Sequence, residues 1–338
     1  MSGARGASPY GSVRIEALAN DLPQHRVTSQ ALEDDLATTY RRLGIPAGCI
    51  ETLVGIVARR FQDEGATIAD CATRAARKVP GVERAEVIIS TSVCKDFIEP
   101  SVAALVRGQL GLTCEAFDIG NACLGFMNGI ELAAMWIELG KVDCALVVDA
   151  ESSRHVVTRT VERLQAPTAT MQDFKEALPT LTLGSGAVAM LLMHERLATT
   201  SHRLSGSVAI GDPASATICL GTADWMKTDA QLLLKNGVDL AARTWGKAQE
   251  KLGWTRDNVA HFICHQVGAT HMATLFKKLD LDLDKAFLSY PELGNIGPAA
   301  VPLTLGLAVD DGRVKSGDRL ALMGIGSGLS CMMMEVVW

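Results

Sequence analysis

No stretch of this chain reaches the roughly 18 uncharged apolar residues of a membrane-spanning helix, so none is expected. The opening MSGARGASPYGS lacks the apolar core of a secretory signal, and residues 1–11 read as a flexible leader. Nine cysteines are present, but they are odd in number, scattered, and never spaced as Cys-x-x-Cys. That pattern excludes a disulfide framework or zinc ribbon and fits reduced thiols in a cytoplasmic protein. Positive charge is not in excess: 32 Lys and Arg stand against 38 Asp and Glu, for a net charge of -6. Nucleic acid and anionic membrane are therefore poor partners. Aromatics make up only 5% of the chain, so any core must be aliphatic. A dinucleotide loop is lacking too. GIGSG (324–328) has no GxGxxG register and no helix after it.

What the chain does have is apolar bulk: 338 residues at 48% hydrophobic content, enough for one large domain or two fused halves. EVIISTSV (86–93), CEAFDIG (114–120) and DCALVVDAE (143–151) read as strands. EPSVAALVRGQLG (99–111) reads as a helix ended by Gly111, and CLGFMNGIELAAMWIELGK (123–141) as a helix with apolar residues every three and four. This alternation predicts an α/β fold with buried strands. The second half has the order of the first. IADCATRAARKVPGVERAEVIISTSV matches VDLAARTWGKAQEKLGWTRDNVAHFICHQV, and LTLGSGAVAMLLMHE matches LMGIGSGLSCMMMEVVW. Two matches in one order suggest an internal duplication, with halves at 12–200 and 201–338 and a break inside the polar run 196–206. The segment 152–180 fits neither half. It is polar, carries Pro167 and Pro179, and reads as an insertion covering a site or an interface.

Three segments carry candidate chemistry. Cys123 follows a strand and opens a helix, where free N–H groups and the helix dipole are expected to lower a thiol pKa. Gly120, Asn121 and Ala122 are small, as a sharp elbow requires. Any single cysteine is more often a packing residue than a nucleophile. His265, in HFICHQVGATH (261–271), stands at the C-terminal end of a strand, and Asn295 stands in the Gly/Pro-rich PELGNIGPAAVP (291–302). Strand ends are where α/β proteins place chemistry. A thiol nucleophile needs an imidazole within reach and donors for an oxygen that gains charge. The competing readings are a core histidine, a metal site with His261 and Cys264, and a plain turn asparagine.

NACLGF, HQVG and GNIGPAAVP, in this order and spacing, resemble the thiolase superfamily in its ketoacyl synthase III branch. STSVCKDFIEPS, LTLGSGAVAM, TDAQLLL and GIGSGLSCMMMEVVW resemble the OleA group of that branch, enzymes that join two long fatty acyl chains in head-to-head hydrocarbon synthesis. The resemblance runs over nearly the whole chain from about residue 12. It implies a thiolase fold, a pseudo-duplicated αβαβα arrangement of five layers, and a homodimer. Ordinary ketoacyl synthase III proteins carry Asn where this chain has Gly268, and a triple-glycine turn where it has Gly326-Ser327-Gly328. These departures weigh against a malonyl-carrier-protein substrate.

By this resemblance the reaction is a non-decarboxylative Claisen condensation of two long-chain acyl-CoA thioesters. The CoA thioesters are substrates, and no cofactor or metal is implied. Cys123 would carry the first acyl group, and His265 and Asn295 would hydrogen-bond the second thioester oxygen as it becomes an enolate. The backbone N–H groups of Cys123 and Ser327 would form an oxyanion hole. Glu99, in FIEPS, would reach the partner subunit's site as the base; from the residues alone it reads as an exposed acid before a helix. Arg59, Arg60, Lys95 and Arg107 are candidates for the CoA phosphates. Phe126, Met127 and CMMME could line an acyl channel or simply pack the core. Downstream enzymes of olefin biosynthesis are the implied partners. The alternatives are a ketosynthase using carrier-protein chains, including pyrone formation, a silent partner subunit of a heterodimeric synthase, and a cysteine hydrolase, whose C-G-[SA]-C-[WY] signature is lacking.

Overall fold

The computed structural model describes residues 9–338. Its strands divide their side chains between two apolar environments. Every residue of Cys144–Glu151 is buried. Ala145 and Val147 join one cluster, while Leu146, Val148 and Ala150 join another. A strand apolar on both faces belongs inside a layered structure, and it therefore reads as a continuous hydrophobic run.

Among the described residues nine strands join one sheet. The spatial order is Glu115–Asp118, Val87–Ser90, Cys144–Glu151, Gly186–His194, Val13–Asp21, Arg203–Gly211, Ser330–Val337, Arg319–Gly326, His261–Cys264. The first three run parallel to one another, and Gly186–His194 is antiparallel to the strands on both its sides. At the other end His261–Cys264 is parallel to Arg319–Gly326, and Ser330–Val337 is antiparallel to both of its neighbours. The order and direction of one half thus recur in the other. The strands Val13–Asp21 and Arg203–Gly211 touch through Arg14 opposite Arg203. Glu115–Asp118 has its counterpart in a single bridge between Phe262 and Ala286.

Three apolar clusters mark the boundaries of five layers. Helices Gly125–Glu138 and Ala300–Asp310 fill the middle, against the inner faces of both half-sheets. Ile68–Arg77 and Val102–Leu110 cover the outer face of the first half. Ala230–Leu252 and Ala269–Leu279 cover that of the second. Thr67 and Asp70 form a reciprocal capping box at the start of Ile68–Arg77. The helix expected over 99–111 begins later, at Val102, because Ser101 caps it, and it ends at Gly111 as expected.

Residues 1–8 of the expected leader lie outside the described residues. Tyr10, also assigned to the leader, is buried and donates its hydroxyl to Glu131 Oε1 at 3.0 Å, so the packed chain starts before residue 12. Phe126 and Met127 lie in the central cluster, as do Met332 and Met334, while Cys331 and Met333 point to the outer one. That is strand alternation, and these positions pack the core. The insertion 152–180 forms two helices, Arg154–Gln165 and Met171–Leu181, where the second half makes a short turn between Gly326 and Ser330. Both helices pack on Leu32, Leu36, Tyr40 and Phe61. A hairpin of the second half, Cys219–Gly221 with Met226–Thr228, reaches over to them. Lys227 pairs with Glu176 at 3.4 Å, and His155 with Asp224 at 2.8 Å. Among the described residues no helix is long and apolar enough to cross a membrane.

Candidate active site

The strand Glu115–Asp118 turns into helix Gly125–Glu138 through a tight elbow. Ala122 sits at a φ of 46°, a left-handed conformation that a larger side chain would tolerate poorly. The N–H groups of Leu124 and Gly125 close the turn on the carbonyls of Asn121 and Ala122, both at 3.0 Å. Asn121 Nδ2 donates to Asn128 Oδ1 at 2.8 Å and ties the elbow to the helix. Cys123 is thereby held just ahead of the helix, with partial access to solvent.

The other half supplies the surroundings. Gly326 ends its strand so close to the elbow that a Cβ there would stand 2.8 Å from the Asn121 carbonyl oxygen and 3.1 Å from Leu124 N. Ser327 follows directly, so the Gly326-Ser327 turn borders Cys123. Asn295 is fixed by its backbone: its N–H donates to Thr182 at 2.9 Å, and its carbonyl accepts from Gly184 at 2.8 Å. Its side-chain Oδ1 accepts from Gly297 N–H at 3.0 Å. His265 is buried just past its strand, its N–H donating to Met323 O at 2.8 Å, and its ring feels the Gly297 backbone, which favours the protonated form. Cys123, His265, Asn295 and Ser327 thus converge from four separated stretches of sequence.

Two acids stand behind them. Asp149 and Glu151, near the end of Cys144–Glu151, are both buried. Thr91 Oγ1 donates to Asp149 Oδ2 at 2.5 Å. Glu151 Oε1 accepts from Val93 N–H at 2.7 Å, and a Cβ on Gly297 would lie 3.5 Å from Glu151 Cγ. Burial holds both carboxyls above the usual range, and for Asp149 the charge of Glu151 adds to it.

The thiol behaves opposite to expectation. Burial pushes Cys123 up to about 12, with further upward contributions from Glu151, Cys219 and Asp149. These contributions favour the neutral thiol over the thiolate. Burial pushes His265 down to about 3, and His271 adds to the shift. A neutral imidazole can donate a hydrogen bond to a developing oxyanion without first losing a proton to solvent.

The other sequence candidates scatter. Glu99 is exposed at the tip of an irregular segment. Arg59 is fully buried and donates to Ser29 Oγ and Leu181 O, which removes it from the candidates for CoA phosphate. Arg60 donates to Gln24 O, Lys95 pairs with Asp118 at 2.7 Å, and Arg107 donates to Cys114 O. His261 faces Asp318 at 3.6 Å and Cys264 contacts Met323 Sδ at 3.9 Å, so neither turns toward His265 as a co-ligand. Sequence reasoning missed Asp149, Glu151, Gly297 and His271. Acids ending the apolar run DCALVVDAE were the available signal, since carboxylates are seldom fully buried without a reason.

Five layers built from two like halves, with a thiol, an imidazole and a carboxamide gathered at the strand ends, define the thiolase-fold class of condensing enzymes. Residues 117–213 match the family described as 3-oxoacyl-[acyl-carrier-protein (ACP)] synthase III, and residues 249–338 match its C-terminal part. The chain is 41% identical to the acyl-CoA:acyl-CoA alkyltransferase of Xanthomonas campestris, over 97% of its own length and 99% of the relative's. It is 37% identical, over the same shares, to the enzyme of that name from Shewanella oneidensis. A crystal structure of Xanthomonas campestris OleA, with serine replacing a cysteine and with bound lauric acid and lauroyl-CoA, is also similar. It gives a TM-score of 0.95 at 41% identity, over 97% of this chain and 100% of that one. The chain belongs to the ketoacyl synthase III family of the thiolase superfamily, in its OleA-like group.

Proposed function

We propose that the protein joins two long-chain acyl-CoA thioesters by a non-decarboxylative Claisen condensation. The Cys123 thiol attacks the first thioester, CoA leaves as its thiol, and the acyl group stays on sulfur. The α-carbon of the second acyl-CoA loses a proton to Glu99 of a second subunit. The resulting carbanion attacks the acyl-enzyme carbonyl and expels Cys123, giving a 2-alkyl-3-ketoacyl-CoA, or the β-keto acid after hydrolysis. His265 and Asn295 donate to the enolate oxygen, and the backbone N–H groups of Cys123 and Ser327 to the acyl-enzyme oxygen. CoA thioesters are the substrates, and the chemistry calls on no cofactor.

The observation that carries the reading is the meeting of the Cys123 elbow, the Gly326-Ser327 turn and the Asn295–Gly297 loop beside a neutral His265. A second copy is the natural cover for the exposed tip. Ile98 is 101% and Phe97 53% exposed, immediately before Glu99. We place the homodimer in the cytoplasm, where the free cysteines stay reduced, with olefin-pathway enzymes taking its product.

The test is incubation with myristoyl-CoA alone, following released CoA and the β-keto acid or its ketone. Condensation is expected with no second substrate. A requirement for malonyl or ketoacyl chains on a carrier protein would overturn the reading.

A further inference from the structure

The irregular stretch between strand Val87–Ser90 and helix Val102–Leu110 is pinned at its two roots and free at its tip. Glu151 Oε1 and Oε2 accept from the successive N–H groups of Val93 and Cys94, at 2.7 and 3.3 Å. Lys95 pairs with Asp118 at 2.7 Å, and Asp96 accepts from Ile68 N–H at 2.6 Å. At the far root Asp118 also accepts from Val102 and Ala103 N–H, at 3.1 and 2.9 Å. Between these anchors Phe97, Ile98, Glu99 and Pro100 are all exposed. Charge-assisted bonds at both roots make this a positioned arm rather than a loose loop.

Among those anchors Glu151 is the one that also borders the Cys/His/Asn centre. Its side chain lies against the Gly297 backbone, in the loop that holds Asn295 and acts electrostatically on the His265 ring. A carboxylate that serves two N–H donors of the arm while touching the loop of its own site can set the arm's direction from its root.

We propose that Glu151 is a positioning residue for condensation in the neighbouring subunit: by fixing the root of the arm it sets where Glu99 arrives beside the partner's thiol. The inference rests on the reading of Glu99 as a base that crosses the dimer. Glu151 takes no part in bond making. Glu151→Gln keeps the shape but replaces one acceptor oxygen with an amide NH2, which cannot accept an N–H bond. A displacement of about 1 Å at a reacting group costs on the order of 10²-fold in rate, and a loss of that order in condensation is expected. CoA release in the first half-reaction persists at one per thiol, which a general loss of structure would not allow.

The deciding experiment uses purified heterodimers carrying two different tags. One subunit bears Cys123→Ala and the other Glu151→Gln. The one live thiol then sits in the Glu151→Gln subunit and receives Glu99 from an arm whose Glu151 is intact. Recovery to half the native dimer's rate is expected. A heterodimer as slow as the Glu151→Gln homodimer overturns the proposal, because Glu151 then acts within its own subunit. A second heterodimer, Cys123→Ala with Glu99→Ala, runs alongside. Recovery there supports the crossing of Glu99, so that failure of the first pair counts against Glu151 alone. Failure there refutes the crossing base, and the proposal falls with it. Should Glu151→Gln not fold, Val93→Pro removes the N–H from the other side of the same bond, and the same complementation is expected.

Discussion

Gly326 and Asn121 approach each other more closely than any side chain at 326 would allow: a Cβ there would lie 2.8 Å from the Asn121 carbonyl oxygen. The contact seats the turn of the second half on the elbow of the first. Gly326→Ala must therefore displace the elbow and Cys123 with it. A loss of about 1–3 kcal/mol in stability is expected, together with a loss of acylation that is large by comparison. Thermal melting and the burst of CoA release measure the two. Gly120→Ala, beside the same elbow but with open space around its Cβ, leaves both nearly unchanged.

The resting thiol gives a second prediction. With Cys123 held up to about 12, chiefly by burial, the free enzyme holds little thiolate at neutral pH. Alkylation of Cys123 by iodoacetamide should be slow at pH 7 and climb about tenfold per pH unit through pH 9. A plateau reached by pH 8 would show an already ionised thiol.

Burial also pushes His271 down, from 6.5 to about 4. Between those values the unfolded chain binds a proton that the native chain refuses, so stability falls as pH drops through this window. Above it both states are neutral and the residue has no effect. His271→Gln should remove this loss, by up to about 1.4 kcal/mol per pH unit. Urea midpoints of the two proteins at pH 7 and pH 5 make the comparison. The difference between them must widen toward acid.

Glu99→Ala separates the two half-reactions. One CoA per thiol is expected to leave on mixing with myristoyl-CoA, and condensation is expected to stop. A variant that condenses at the native rate shows that the proton goes elsewhere.

Local patterns account for what the sequence revealed and for what it concealed. Cys123, His265 and Asn295 each sit in a short stretch whose strand, turn and glycines can be read in place. Glu151 has no such signature. It ends an apolar strand, and its role lies in contacts with Val93, Cys94 and Gly297, distant in the chain. Those contacts also shorten the strand expected over 86–93. It stops at Ser90, because Thr91 turns to Asp149 and Val93 to Glu151. The sign of the Cys123 shift failed for the same reason: the helix start is local, whereas burial and the two acids arise only in the folded chain.

The recurrence of one strand order in both halves bears on how the chemistry is divided. The thiol leaves the edge strand of the first half, whereas His265, Asn295 and the Gly326-Ser327 turn all come from the second. A half severed in the crossing from His194 to Arg203 would keep a complete sheet motif and an incomplete reaction. On the proposed mechanism the joint between the halves is therefore part of the chemistry. A change that leaves each half well folded but shifts one against the other would silence the enzyme without unfolding it.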